Sequence, residues 1–189
     1  CAQAGLDVKV SEINDDLLKK GMGAINGFLS KSVEKAKMTQ ADKDAILGRI
    51  KGTTNMADFA DRDLVIEAAV ENMDLKKATF KELGAVTRPD CILASNSSTL
   101  DIDQFATSSG RPAQVLGHHY FSPANVMKLL EMVRGRETSK DVIATSLKLS
   151  KKLNKVGVVV GNCFGFVANR MLAYYMREAY LLLEEGASV

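Results

Sequence analysis

Two short apolar runs, each bounded by turn residues, constrain the fold of this chain more than any other feature of its sequence. They are Leu64-Val-Ile-Glu-Ala68 and Cys91-Ile-Leu-Ala94. Nearly continuous apolar runs of this length are typical of parallel strands that helices cover on both faces. Residues 73–86 between them have helical periodicity, and Pro89 lies just beyond that segment, where a proline ends a helix. The pattern predicts a strand–helix–strand unit.

The same alternation continues along the rest of the chain. Further strands are predicted at 7–10, near 53, at 114–117, 129–133 and 156–160, and further helices at 14–37, 39–50, 139–153 and 164–185. Strands that alternate with helices predict an α/β fold with a Rossmann-like, doubly wound and mostly parallel sheet. In such sheets, ligands bind beyond the carboxyl ends of the strands. Polar residues at those ends are therefore the candidate site residues.

Composition and charge exclude several classes of protein. The chain has 25 Lys and Arg against 23 Asp and Glu, a net charge of +2, which is too balanced for the basic face that nucleic-acid binding needs. Its longest uncharged apolar run, residues 156–160, is far shorter than the roughly 20 residues of a membrane-spanning helix. The three cysteines are widely spaced, so we predict neither a metal site nor a disulfide framework.

Glu12 directly follows the strand predicted at 7–10. An acidic residue that ends the second strand of a Rossmann unit binds the adenosine ribose hydroxyls and repels a 2′-phosphate, which favours NAD over NADP. An ordinary exposed acid at a strand end is the alternative interpretation. The glycine-rich loop and the first strand of such a unit are absent from this sequence, and we expect them just before Cys1.

His118 and His119 are adjacent, immediately after the strand predicted at 114–117. Neighbouring side chains on an extended segment point in opposite directions, so at most one of the two faces a given pocket. Glu131 lies inside an apolar strand, where a lone carboxylate is costly unless it is paired. A carboxylate on one imidazole nitrogen would leave the other free to take a proton, which suits alcohol oxidation. The alternatives are one packed and one solvated histidine, and an exposed Glu131.

Three further groups of polar residues are candidates at the carboxyl edge of the sheet or in the last helix. They are Ser95-Asn-Ser-Ser-Thr99 after the strand 91–94, Glu71-Asn72 with Lys76 one turn along the next helix, and Asn169-Arg170 in the last helix. Each has a simpler interpretation. Residues 95–99 would be a polar turn, Glu71-Asn72 the acidic start of a helix, and Asn169-Arg170 a polar position on the surface.

Taken together, these residues resemble the 3-hydroxyacyl-CoA dehydrogenase family, and most of all the dehydrogenase part of multifunctional fatty-acid β-oxidation enzymes. The resemblance covers essentially the whole chain and has four ordered, specific stretches: Val65–Asn72, Ala94–Leu100, Gly117–Glu131 and Gly165–Arg170. It implies NAD-dependent oxidation of a (3S)-3-hydroxyacyl-CoA to a 3-ketoacyl-CoA.

The resemblance also implies a role for each candidate residue. It makes His119 the general base and Glu131 the residue that orients it, with Ser98 bonded to the substrate oxygen and to the nicotinamide end, and Asn169 also holding the substrate. It places Glu12, Glu71 and Lys76 at cofactor-contacting positions and Lys35 at a position that contacts coenzyme A. Ser122 stands where the family often has Asn, so one cofactor contact is weakened or made by a shorter side chain.

For the whole polypeptide, the resemblance implies an NAD-binding Rossmann-like domain at residues 1–161 and the beginning of a helical C-terminal domain at 162–189, both incomplete. It further implies a homodimer through that C-terminal domain, a hydratase/isomerase domain in the same polypeptide, and a peroxisomal or mitochondrial location. Two alternatives stay open: a non-catalytic family member that serves as a binding or structural module, and a related NAD-dependent dehydrogenase of small hydroxy acids.

Overall fold

The computed structural model describes residues 1–188, which divide into two compact units, one of Cys1–Asp61 and one that begins at Arg62. The first unit has a two-stranded parallel sheet. Its elements are a 3-10 helix at Ala2–Ala4, β1 at Val8–Ser11, α1 at Asp15–Glu34, α2 at Gln40–Gly48, β2 at Ile50–Thr53 and a 3-10 helix at Met56–Phe59.

Side-chain caps mark the beginning of both α-helices of the first unit. The Asn14 side chain accepts a hydrogen bond from the backbone N–H of Leu17 at the start of α1. Thr39 and Asp42 form a reciprocal capping box at the start of α2, which satisfies N–H groups that have no partner inside the helix. The helix predicted to run to residue 37 ends earlier, because Ala36 has a φ of 53°, which a right-handed helix does not allow.

The second unit has a five-stranded sheet in the order β3-β4-β5-β6-β7. Only the β5–β6 pair is antiparallel, so the predicted Rossmann-like α/β fold with a mostly parallel sheet is confirmed. Its elements are β3 at Leu64–Glu67, α3 at Met73–Val86, β4 at Ile92–Ser95, α4 at Ile102–Ala106, β5 at Val115–Tyr120, β6 at Leu129–Arg134, α5 at Lys140–Lys152, β7 at Val156–Gly161 and α6 at Ala168–Glu184; three-residue 3-10 helices lie at Thr107–Ser109 and Pro112–Gln114.

Two elements of the second unit differ from the sequence prediction. β5 extends to Tyr120 and includes both histidines, because Tyr120 pairs with Leu130 on β6. The last helix begins at Ala168 instead of residue 164, because Gly165 and Phe166 have φ values of 69° and 50°, which place a turn before the helix. Both differences arise from backbone pairing and conformation that apolar periodicity does not record.

The core of the second unit surrounds β4, β5 and β6. Leu93, Leu116 and Met132 are all completely buried. A side chain at Gly117 on β5 would collide with β6, because its Cβ would lie 2.7 Å from the Cβ of Val133. This close approach of β5 and β6 fixes the backbone on which the two histidines sit.

Within residues 1–188, none of the helices combines the length and the apolar character that crossing a bilayer requires. The same part of the chain contains no cluster of three or more His, Cys, Asp or Glu side chains that could hold a metal ion.

The domain boundary expected near Gly161 differs from the division at Asp61 and stays a prediction.

Candidate active site

His119 and Glu131 face each other directly across the antiparallel pair β5–β6. Their side chains form a hydrogen bond of 2.8 Å between Nδ1 and Oε2. Both residues are buried, with exposed fractions of 3% and 1%, so the alternative of an exposed Glu131 is wrong. Because a carboxylate only accepts hydrogen bonds, Nδ1 carries a proton, and in the neutral imidazole Nε2 is then the acceptor. Nε2 has no hydrogen-bond partner among residues 1–188, so it is available to a ligand.

The second oxygen of Glu131 is held by the beginning of α6. Oε1 accepts the backbone N–H groups of Val167 at 3.1 Å and of Ala168 at 2.9 Å. The positive end of the helix dipole favours a negative charge here, and these bonds satisfy a carboxylate that is removed from water. Every residue except proline has a backbone N–H group, so the sequence does not show which of these groups hold Glu131.

Two phenylalanines pack against the His119 imidazole. The ring centroid of Phe121 lies 4.5 Å from that of His119, and the centroid of Phe166 lies 5.5 Å away in an edge contact. Phe166 is buried and belongs to the turn that precedes α6. These apolar walls fix the plane of the ring. Phe166 was missed in the sequence because a phenylalanine beside a glycine is also typical of an ordinary turn.

His118 points to the other face of the sheet. Its Nε2 lies 2.9 Å from the Ser146 hydroxyl on α5, and its Nδ1 is buried without a hydrogen-bond partner among the described residues. Burial lowers the pKa of His118 to about 4, so this imidazole is neutral at physiological pH. Both histidines are buried, so the alternative of one solvated histidine is wrong, and only His119 has a carboxylate partner.

The buried neutral state of His118 predicts a loss of stability in acid. The folded-state pKa is about 4 and the ordinary value is 6.5, so between these values the unfolded chain binds a proton that the folded chain does not. The contribution of this group is fully present above pH 6.5 and is lost as the pH falls towards 4, by about 3 kcal/mol in the free energy of unfolding. Urea unfolding of the wild type and of His118→Gln at both ends of this range measures it. Equal losses in the two proteins would contradict the prediction.

The loop that follows β4 is held by Glu71. Its Oε1 accepts hydrogen bonds from the Ser97 hydroxyl at 2.6 Å and from the backbone N–H groups of Ser98 at 2.9 Å and Thr99 at 3.2 Å. Burial raises the pKa of Glu71, but these bonds and the charge of Lys76 outweigh it, and the pKa lies below its usual value. The Ser98 hydroxyl makes no hydrogen bond within residues 1–188, which leaves it available to a ligand.

The structure also connects this loop with the histidine strand. The Asn96 side-chain oxygen accepts the backbone N–H of Tyr120 at 2.9 Å, so the end of β4 is bonded to the end of β5. The segment that contains Ser98 and the segment that contains His119 are therefore neighbours along the carboxyl ends of parallel strands.

Lys76 lies in the interior instead of at the surface of α3. Its exposed fraction is 1%, and its Nζ lies 2.9 Å from both carboxylate oxygens of Glu67. Sequence reasoning missed Glu67, although an acid inside an apolar run was the signal that identified Glu131. Lys76 has an intramolecular partner for its charge, and its direct contact with a cofactor stays a prediction.

Four predicted site residues have no side-chain hydrogen bonds among the described residues. Asn169 is half-buried in the first turn of α6, and Ser122 is exposed in the loop between β5 and β6. Glu12, directly after β1, and Lys35, at the end of α1, are exposed and belong to the first unit. The interactions found in the second unit thus join His119, Glu131 and the start of α6, and separately join Glu71 to the loop of Ser98.

The fold and this site define an NAD-binding domain of a dehydrogenase: a mostly parallel α/β sheet with a histidine–carboxylate pair beside the carboxyl ends of its strands. The chain belongs to the 3-hydroxyacyl-CoA dehydrogenase family, because the family model described as 3-hydroxyacyl-CoA dehydrogenase, NAD binding domain, matches residues 1–163. The predicted family and the predicted cofactor, NAD, are therefore confirmed.

Relatives of two kinds support this assignment. The chain is 44% identical over 186 residues to a peroxisomal bifunctional enzyme of Cavia porcellus, and the match covers 98% of this chain but 26% of that protein. It is 42% identical over 187 residues to a probable 3-hydroxybutyryl-CoA dehydrogenase of Deinococcus radiodurans, with 99% of this chain and 67% of the relative covered. The chain thus spans about a quarter of the length of the bifunctional relative and two thirds of the second.

A solved structure has the same fold over the whole chain. The crystal structure of a (S)-3-hydroxybutyryl-CoA dehydrogenase from Ralstonia eutropha has a TM-score of 0.97 and 39% sequence identity, and the match covers 100% of this chain and 66% of that one.

Proposed function

We propose that this chain carries the catalytic base of an enzyme that oxidises a (3S)-3-hydroxyacyl-CoA to the 3-ketoacyl-CoA with NAD. The observation that supports this most directly is the His119–Glu131 pair, in which Nδ1 is bonded to the carboxylate and Nε2 has no hydrogen-bond partner among residues 1–188. Such a pair removes a proton from a hydroxyl group and spreads the charge that results. The substrate class is inferred from the family and the names of the relatives.

In the proposed reaction, Nε2 of His119 takes the proton of the C3 hydroxyl. The Glu131 carboxylate compensates the positive charge that develops on the imidazole, and α6 holds that carboxylate in place. Ser98 and Asn169 contribute a hydroxyl and an amide that bond the reacting oxygen. NAD supplies, when bound, the hydride acceptor that no side chain can provide.

Each unit by itself offers candidate ligands for one end of NAD. The Glu12 carboxylate is exposed directly after β1, so both of its oxygens can accept the hydroxyls of a ribose. The Ser98 hydroxyl at the end of β4 and Ser122 would bond the nicotinamide end, and Glu71 would hold the Ser98 loop against it. Lys35, an exposed cation at the end of α1, would pair with phosphates of coenzyme A.

The proposal extends to the whole polypeptide. A helical C-terminal domain that begins at residue 162 would complete the substrate cleft and form a homodimer. A hydratase/isomerase domain would share the polypeptide, and the relative from Cavia porcellus is, by its name, an enzyme of two functions. The same relative supports a peroxisomal location.

The test is the reverse of this reaction, the oxidation of NADH by the polypeptide that contains this chain, at its full natural length, with acetoacetyl-CoA as substrate; in this direction His119 gives its proton to the C3 oxygen. We expect turnover with acetoacetyl-CoA, little with free acetoacetate and inhibition by added coenzyme A. Equal rates with acetoacetate, without inhibition by coenzyme A, would favour a dehydrogenase of small hydroxy acids. A folded protein that binds NADH but turns over neither substrate would favour the non-catalytic module.

A further inference from the structure

We propose that Glu67 is a positioning residue, which holds the Ser97–Thr99 loop in its working conformation through Lys76 and Ser95. The inference deepens the proposed function, on which it rests, because this loop carries the Ser98 hydroxyl. Glu67 is the last residue of β3, and a carboxylate at this position reaches both the next helix and the next strand.

The carboxylate of Glu67 makes its bonds almost entirely out of contact with water. The side chains of Lys76 and Glu67 are 1% and 3% exposed. The two oxygens share the Lys76 ammonium at 2.9 Å each, and they also accept the backbone N–H of Ala69 at 2.6 Å and the Ser95 hydroxyl at 2.7 Å. The carboxylate therefore bonds three different elements of the chain: the segment after β3, helix α3 and the end of β4.

Two paths of polar contact lead from Glu67 to the loop. Along the first, the Ser95 hydroxyl that donates to Glu67 also accepts the backbone N–H of Ser97 at 3.2 Å. Along the second, Nζ of Lys76 lies 3.6 Å from Oε2 of Glu71. The other oxygen of Glu71 accepts the hydrogen bonds of the loop. Both paths end within one residue of Ser98.

A contribution to the stability of the fold does not by itself explain the buried Glu67–Lys76 ion pair. Removing two charges from water costs about as much as their attraction returns, and an apolar pair of similar volume is often equally stable or more so. An apolar pair would not orient the Ser95 hydroxyl towards the backbone N–H of Ser97, and it would not place an ammonium group near the carboxylate of Glu71. The network therefore fits a role in placing the loop.

The chain offers a matched control at the opposite end of the same two elements. Asp63 precedes β3 and Arg88 follows α3, and they form a salt bridge of 2.8 Å with side chains 91% and 44% exposed. This pair also joins β3 to α3, but it has no polar contact with the Ser97–Thr99 loop.

The experiment compares Glu67→Gln, the double variant Glu67→Met/Lys76→Met and the control Asp63→Asn/Arg88→Met in the full-length polypeptide. Its readouts are the unfolding midpoint, kcat and KM with acetoacetyl-CoA, and amide hydrogen exchange at residues 97–99. In Glu67→Gln we expect a lower midpoint and a kcat reduced about tenfold to a hundredfold, because small misplacements of a catalytic group have effects of this size. We expect the Glu67→Met/Lys76→Met variant to recover the midpoint while kcat stays low, KM changes little for both acetoacetyl-CoA and NADH, and exchange at 97–99 accelerates; a raised KM for NADH would instead assign the loss to a cofactor contact of Lys76 and contradict the positioning role.

A double variant that regains both its midpoint and its wild-type kcat would overturn the inference, because the pair would then be structural only. The control should keep wild-type kcat and exchange. If the wild type itself has no activity, the proposed function fails, and hydrogen exchange still decides the role of Glu67: unchanged exchange at 97–99 in the double variant would refute it.

Discussion

Replacing His119 with glutamine should lower kcat at least about 100-fold, both for the oxidation of a 3-hydroxyacyl-CoA and for the reduction of acetoacetyl-CoA, because the same group is the general base of the first and the general acid of the second. Glutamine has nearly the size of histidine and can still donate a hydrogen bond to Glu131, which lies 2.8 Å from the imidazole. It cannot take a proton from a hydroxyl group at neutral pH. The packing against Phe121 and Phe166 should be largely kept, so the loss reports chemistry instead of folding.

His118→Gln is the matched control for that experiment, because it makes the same substitution one residue earlier on the same strand. His118 faces Ser146 on α5 and has no part in the proposed reaction. We expect its kcat to stay near the wild-type value when both variants are assayed well below their unfolding midpoints. Comparable losses in the two variants would show that His119 acts through packing and would remove it as the base.

Glu131→Gln should lower kcat by about two to four orders of magnitude, with little change in KM. The amide oxygen can accept the N–H groups of Val167 and Ala168 as the carboxylate does, which turns the amide NH2 towards Nδ1 of His119. Nδ1 must then accept a hydrogen bond, and the proton moves to Nε2, the nitrogen that has to receive the substrate proton. The loss of a carboxylate that orients a catalytic histidine has an effect of this order in other enzymes.

Steady-state kinetics with (3S)-3-hydroxybutyryl-CoA and NAD measure this prediction in the direction in which Nε2 receives the proton, and thermal unfolding provides its control. The variant also loses a negative charge at the beginning of α6, so we expect its free energy of unfolding to decrease by about 1 kcal/mol. A KM that rises while kcat is kept would mean that Glu131 serves substrate binding and would contradict the orienting role.

The order of strands and helices could be predicted because it depends on local patterns. Apolar runs predicted β3 and β4 to within a residue or two of their observed bounds. The cost of a lone carboxylate in an apolar strand predicted that Glu131 has a partner, and the family resemblance implied that this partner is His119. The predicted starts of α1 and α2, at residues 14 and 39, coincide with their N-caps Asn14 and Thr39.

The remaining parts of the site depend on contacts that the sequence does not display. Lys76 on an amphipathic helix has the pattern of a surface lysine, and only the fold places it within 2.9 Å of Glu67. The two N–H groups that hold Glu131 come from the backbone of Val167 and Ala168, where any residue type except proline would serve. The turn at Gly165 and Phe166 that delivers them is set by positive φ angles, which are only weakly encoded.

The register of β5 against β6 has a consequence for how this site can change. His119 lies opposite the carboxylate of Glu131, and His118, one residue earlier, lies opposite the apolar side chain of Met132. Because side chains alternate along a strand, a shift of β5 by a single residue would exchange their faces. Inserting one residue in β5 ahead of His118 would therefore place His118 opposite Glu131 and move His119 to the place of Tyr120, on the face that His118 now occupies.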